Sequence, residues 1–130
     1  MKKLFIEGTE DTPIINLDPE SKVFEISGRS LPENVVAFYQ PVLDWLDELE
    51  SNPIGDMDFA FKLEYFNTAS SKLILDILLK LDDIYNEGNP IKIKWYFLEL
   101  DSDLEEAGEE YSELVDVPFE LIGYERSGNI

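Results

Sequence analysis

The chain has 130 residues, 44% of them hydrophobic and 12% aromatic, which is enough for one core without staples and too apolar for a disordered tail. Twenty-nine acidic against ten basic residues give a formal charge of −19. Such a charge repels phosphate backbones and anionic lipid surfaces, so nucleic acid and membrane are poor partners; it leaves a basic protein surface open, with simple solubility as the plainer use. Cysteine and histidine are both absent, which removes disulfides, thiolate chemistry, Cys-based zinc sites and the Ser-His-Asp and Cys-His arrangements.

The start, MKKLFIEGTED, has an apolar run of Leu4 to Ile6 only, too short for a secretory signal. Lys3 to Ile6 reads as a strand and Pro13 to Leu17 as a second. Asp18-Pro19-Glu20-Ser21 is turn chemistry, and Lys22 to Ser27 alternates as a third strand, close enough to the second for a hairpin. Gly28-Arg29-Ser30 breaks the pattern. Pro32 suits the first turn of a helix, and Val35, Phe38, Val42, Trp45, Leu46 and Leu49 follow at helical spacing. Pro41 lies inside that helix and cannot donate to residue 37, so a kink or a break is expected there.

Met57 to Phe66 alternates cleanly, which predicts a strand with Met57, Phe59, Phe61, Leu63 and Tyr65 on one face and Asp58, Ala60, Lys62, Glu64 and Phe66 on the other. The helix after it has one polar stripe, Lys72, Asp76, Lys80, Asp83 and Glu87, and is otherwise apolar, so it is expected to pack on a sheet. Its apolar run, LILDILLKL, is broken by Asp76 and Lys80 and is too short to span a bilayer, which with the missing signal predicts a cytoplasmic protein. Gly88-Asn89-Pro90 ends it. Ile91 to Leu98 reads as a central strand. Asp101 to Leu114 reads as an acidic helix weakened by Gly108, and Val117 to Ile122 as a strand at an edge or a strand start because of Pro118. The last residues are expected to fray. The strict alternation of the second half implies parallel strands with right-handed crossovers, so the fold expected is one α/β domain over residues 1–130, a mixed sheet with an N-terminal hairpin, parallel βα repeats and about three helices.

No phosphate-binding glycine loop and no nucleophile elbow is present. The acidic run Glu99 to Glu106 fails as a calcium loop: counting from Asp101, the sixth position is Glu106 rather than glycine and the twelfth is Ser112 rather than glutamate. Asp101 to Asp103 instead suit the start of a helix. Trp45, Trp95, Tyr96 and Phe97 fall at core periods. Neither a metal nor a cofactor is called for.

Asn67-Thr68-Ala69-Ser70-Ser71 carries more hydroxyls than a helix start needs. As plain structure, Asn67 or Thr68 caps the helix and the serines are tolerated in its first turn. As a functional site, free N–H groups and the positive end of the dipole stabilise phosphate there, and a phosphorylated hydroxyl would alter a binding surface abruptly. Pattern alone favours the cap.

YFNTASSKLILDIL resembles the signature of the SiaC family of regulatory phosphoproteins. LDPESKVFEISGRSLPENVVAFYQPVLDWLDEL, with its Pro41 inside a helix, is similar to that family's N-terminal half. IKIKWYFLELDSDLEEAGEEYSELVDVPFELI is similar to its C-terminal half. The resemblance implies a STAS-like fold, akin to anti-sigma-factor antagonists, and a non-enzymatic switch. A Ser/Thr protein kinase would phosphorylate the protein and a PP2C-type phosphatase would reverse it. The unphosphorylated form would bind and activate a diguanylate cyclase, raising cyclic di-GMP and favouring biofilm or aggregation. The implied phosphoacceptor is Thr68, with Ser70 and Ser71 as alternatives; Ala69 stands where the family often has serine. The implied partner-binding patch is Asn67, Thr68, Ser70, Ser71 and Lys72. Two other readings remain beside it: an anti-sigma-factor-antagonist type of partner switch, and a small-ligand-binding α/β domain.

Overall fold

In the computed structural model, which describes residues 1–125, nine elements follow one another: β1 (Leu4–Ile6), β2 (Ile14–Asp18), β3 (Val23–Ser30), α1 (Val35–Ser51), β4 (Met57–Phe66), α2 (Thr68–Asn86), β5 (Ile91–Leu98), α3 (Ser102–Ser112) and β6 (Phe119–Tyr124). The expected order of elements is met throughout. The fraying expected of the last residues falls mostly on 126–130, outside the described residues, while β6 continues two residues past Ile122 to Tyr124.

The six strands form one sheet in chain order. β1 pairs with β2 and β2 with β3 antiparallel, with Leu17 opposite Phe24 in the β2–β3 hairpin, and β3 to β6 are parallel. Each crossover steps to the next strand on the same side, and a right-handed crossover each time puts α1, α2 and α3 on one face of the sheet. The strands report this two-layer arrangement. Phe24, Ile26, Phe59, Phe61, Leu63, Ile93 and Trp95 are buried under the helices. The opposite face carries ion pairs, Lys62 with Glu25 at 2.8 Å, Lys94 with Asp58 at 3.1 Å and Lys92 with Glu120 at 3.2 Å. Tyr96 lies on that face under Lys62, whose Nζ is 5.2 Å from the ring centre.

Three sequence expectations are corrected. β3 does not stop at Gly28 but runs through Arg29 to Ser30. Between Gly28 and Arg29 the register slips: Gly28 faces Leu63 while Arg29 faces Tyr65, so Glu64 is an extra residue in β4. That bulge reverses the alternation. Tyr65, expected on the face of Phe61 and Leu63, is 46% exposed with the Arg29 guanidinium 5.3 Å from its ring, while Phe66 turns inward against Trp95. Pro32 lies ahead of α1, whose N-cap is Asn34, its side chain accepting from Ala37 N–H. Pro41 does not divide α1, which runs unbroken to Ser51; its own ring faces solvent, while Tyr39, Val42, Trp45 and Leu46 hold the helix to the core.

Trp95 is the hub of the layer between sheet and α3. Its ring centre lies 5.6 Å from Phe61, 5.4 Å from Tyr111 and 6.2 Å from Phe119, and its Nε1–H donates to the Leu104 carbonyl at 3.1 Å. Gly108 of α3 passes directly over it. Asp101 caps α3 by accepting from Leu104 N–H at 3.0 Å, with Asp103 and Glu105 in the first turn, as the acidic run predicts.

Candidate functional site

All three helices follow parallel strands, so their N-termini lie together at the carboxyl end of the sheet. The start of α2 sits in the middle of that edge, after β4 and between the starts of α1 and α3. Its cap is Asn67 rather than Thr68. The Asn67 side-chain oxygen accepts from Ser70 N–H at 2.9 Å, and its own N–H donates to the Ser30 carbonyl at the end of β3 at 3.2 Å.

That capping geometry assigns each of the five residues a different environment. Thr68 is the first helical residue and is exposed. Among the described residues its hydroxyl has no hydrogen-bond partner. The N–H groups of Thr68 and Ala69 point out of the helix start, where no preceding turn exists to accept from them. Lys72, one turn on at the i+4 position, is also exposed and makes no ion pair among the described residues. Ser71 is half-buried, and its hydroxyl donates back to the Thr68 carbonyl at 2.6 Å. Ser70 is fully buried. Its hydroxyl donates to the Ser30 carbonyl at 2.9 Å and accepts from the Ser30 hydroxyl at 2.9 Å. Solvent reaches that hydroxyl only through a local opening of the first turn of α2.

Three residues that the sequence reading did not place at this site complete it. Ser30 ends β3. Tyr39 lies in α1 with its hydroxyl 2.6 Å from Ser30 Oγ, and burial pushes its pKa up to about 12. Tyr111 of α3 donates to the Ser71 carbonyl at 2.8 Å, and burial raises its pKa to about 12 as well. The available signal is the spacing of Tyr39 with Val35 and Val42, which puts its ring on the buried face of α1; a buried tyrosine hydroxyl then requires a partner. Beside Lys72, the gap between α2 and α3 is an open groove of about 450 Å³, lined by the apolar Leu75, Ala107, Tyr111 and Leu114 and by the acidic Asp103, Glu106 and Glu110.

The chemistry available here is that of a surface. Among the described residues no His, Cys, Asp or Glu groups come together as a candidate metal site. The residues at the start of α2 provide an accessible hydroxyl, free amide donors and one cation on a firmly capped helix. These are the groups that a covalently added phosphate would use.

Known proteins match this chain in sequence and fold. Residues 6–124 match the family described as the SiaC family regulatory phosphoproteins. An uncharacterised protein of Pseudomonas aeruginosa strain UCBPP-PA14 is 30% identical over 121 residues, covering 93% of this chain and 96% of that protein. The crystal structure of apo-SiaC from P. aeruginosa superposes with a TM-score of 0.86 at 30% identity, covering 94% of this chain and 99% of that one. The structure of the diguanylate cyclase SiaD in complex with its activator SiaC, from the same organism, matches with a TM-score of 0.87 at 29% identity over 93% of this chain and 99% of that one. Sheet order, helix placement and the capped hydroxyl-bearing start of α2 thus occur in a chain matched almost end to end, and this protein belongs to the SiaC family of regulatory phosphoproteins.

Proposed function

We propose that this protein is a non-catalytic switch whose unphosphorylated form binds and activates a diguanylate cyclase and whose phosphorylation at Thr68 ends that binding. The observation that carries the reading is the Thr68 hydroxyl: exposed, without a partner among the described residues, and first in a capped helix, within a fold whose P. aeruginosa relative SiaC is the activator of the cyclase SiaD. A Ser/Thr kinase adds the phosphate and a PP2C-type phosphatase removes it. Ser71 is the accessible alternative acceptor, and the burial of Ser70 argues against modification there. The partner-binding patch is Thr68 and Lys72 at its centre, with Asn67 and Ser71 at its margin. Ser70 lies beneath it and shapes it without touching the partner.

The physics of release is direct. A phosphate on Thr68 adds about −1.5 to −2 charges and three acceptor oxygens to a surface that the partner must desolvate. The free amides of the helix start and Lys72 hold that phosphate on this chain rather than offering it to the partner. On this reading the protein works in the cytoplasm. Consistent with that, none of the described helices is long and apolar enough to cross a membrane.

The test is a cyclase assay. The diguanylate cyclases of the same organism are purified one by one and their cyclic di-GMP output is measured with wild type, Thr68→Ala, Thr68→Asp and protein carrying phosphothreonine at position 68. One cyclase is expected to be stimulated by wild type and Thr68→Ala and left at its basal rate by the phosphothreonine form. Equal stimulation by all four would refute the switch at Thr68.

A further inference from the structure

Ser30 and Ser70 are the fully buried polar residues among those described. A buried hydroxyl without a partner is costly, and alanine would fill either position more cheaply. Both hydroxyls are kept and both are paired. Ser30 Oγ–H donates to Ser70 Oγ at 2.9 Å, which leaves Tyr39 O–H as the donor to Ser30 Oγ at 2.6 Å. Ser70 Oγ–H then donates to the Ser30 carbonyl oxygen at 2.9 Å, the same oxygen that receives Asn67 N–H. Every proton of this chain of hydroxyls points one way, from α1 through β3 to α2 and back onto the backbone of β3. It joins three elements at the start of α2; the ion pairs of Lys80 with Asp47 and Glu50 tie α2 to α1 only about three turns farther along. It ends on the Ser30 carbonyl oxygen, whose two donors, Asn67 N–H and Ser70 Oγ–H, bracket Thr68.

We propose that Tyr39, Ser30 and Ser70 are positioning residues that hold the first turn of α2 in one place whether or not Thr68 carries a phosphate, so that the switch acts by changing the surface and not by loosening or refolding the helix. The proposal rests on the reading of Thr68 as the modified residue. A phosphate added at an unanchored helix start can reorganise the turn around itself. Here the turn is tied from beneath. Ser70 N–H is held by the Asn67 side chain, Ser70 Oγ by β3, and the Ser71 carbonyl by Tyr111 of α3. The partner therefore meets the same backbone in both states, and the phosphate alone decides the outcome.

Hydrogen–deuterium exchange of the full chain tests this, with wild type, Ser70→Ala and Tyr39→Phe each prepared with unmodified threonine and with phosphothreonine at position 68. In wild type the phosphate is expected to leave the exchange of the Ser70, Ser71 and Lys72 amides within about twofold, because the anchoring bonds lie below the modified surface. Ser70→Ala, which loses two buried hydrogen bonds, is expected to speed those amides roughly tenfold, and Tyr39→Phe, which loses one, roughly threefold, with the Ile77 to Leu81 amides unchanged. Tyr39→Phe keeps the ring and serves where Ser70→Ala does not fold. A rise of tenfold or more caused by the phosphate itself in wild type overturns the proposal, as does first-turn exchange that neither substitution changes, or a rise spread evenly over the chain. The cyclase assay separates the two readings. Phosphothreonine that leaves stimulation intact while exchange behaves as expected removes the switch and keeps the anchor. Release accompanied by a loosened first turn keeps the switch and removes the anchor.

Discussion

Gly108 offers a sharp test of the packing that places α3 beside the Thr68 site. In an exposed helix interior, replacing glycine with alanine gains roughly 0.8–1 kcal/mol, because alanine loses less backbone freedom on folding. At position 108 a Cβ would stand 2.5 Å from Trp95 Cδ1, 2.6 Å from Leu121 Cδ2 and 2.7 Å from Trp95 Nε1. Carbon atoms in contact prefer about 3.5–4 Å, so the methyl group intrudes by about an ångström on two side chains at once. Leu121 is 37% exposed and can turn aside. Trp95 is not free to move: it is 1% exposed, it is wedged among Phe61, Phe66, Tyr111 and Phe119, and its N–H is tied to Leu104. Overpacking costs about 1–3 kcal/mol, and against a ring that cannot move the upper part of that range, about 2–3 kcal/mol, applies; this outweighs the propensity gain and leaves Gly108→Ala less stable by about 1–2 kcal/mol. That corresponds to a fall in Tm of roughly 3–10 °C for a chain of this size. Thermal unfolding followed by far-UV circular dichroism, with urea unfolding as the second measure, reads it directly. A Tm equal to or above wild type would show that α3 does not pack on Trp95 as described.

Three further outcomes follow from the site. Asn67→Ala removes the cap of α2 and is expected to cost about 1 kcal/mol, seen as a shifted urea midpoint with an unchanged slope; an unaltered midpoint would mean that Thr68 can take over the cap. Thr68→Asp puts a negative charge at the positive end of α2, whose first turn has no acid, so its Tm is expected to equal or slightly exceed that of wild type even where the substitution abolishes binding; a large fall would point to misfolding as the cause of any lost activity. Tyr39 supplies the pH prediction. Its pKa is raised by burial from about 10 to about 12 in the folded chain, so the unfolded chain loses its proton first as pH rises. Stability is full below pH 10 and falls between pH 10 and 12, by about 2–3 kcal/mol from this residue. Tyr39→Phe is expected to flatten that decline in a series of urea titrations, and a decline as steep as in wild type would place the ionising group elsewhere.

The order of elements, the parallel character of the second half and the hydroxyl-rich start of α2 were all legible in the sequence. Each is local: a period of two in residues 57–66, a polar stripe through Lys72, Asp76 and Lys80, and a capping residue ahead of an apolar helix are set by neighbours a few positions apart. The same reading misplaced Tyr65 and Phe66, because the bulge at Glu64 that exchanges their faces exists only where β4 meets β3. It treated Gly108 as a weakness, since Trp95 and Leu121 come over it only in the folded chain. It grouped Ser70 with Thr68 as a surface hydroxyl. The helical turn rotates each successive residue by about 100°, so one of two hydroxyls two positions apart faces solvent while the other faces the core. Which one is buried depends on how α2 lies on the sheet, and the partners that make burial tolerable, Ser30 and Tyr39, are brought there from 40 and 31 residues away. Sequence by itself determined which elements form and that a hydroxyl-rich helix start stands among them. Tertiary structure decided which hydroxyl is exposed and what anchors the other, because contacts between distant segments leave no periodic trace along the chain.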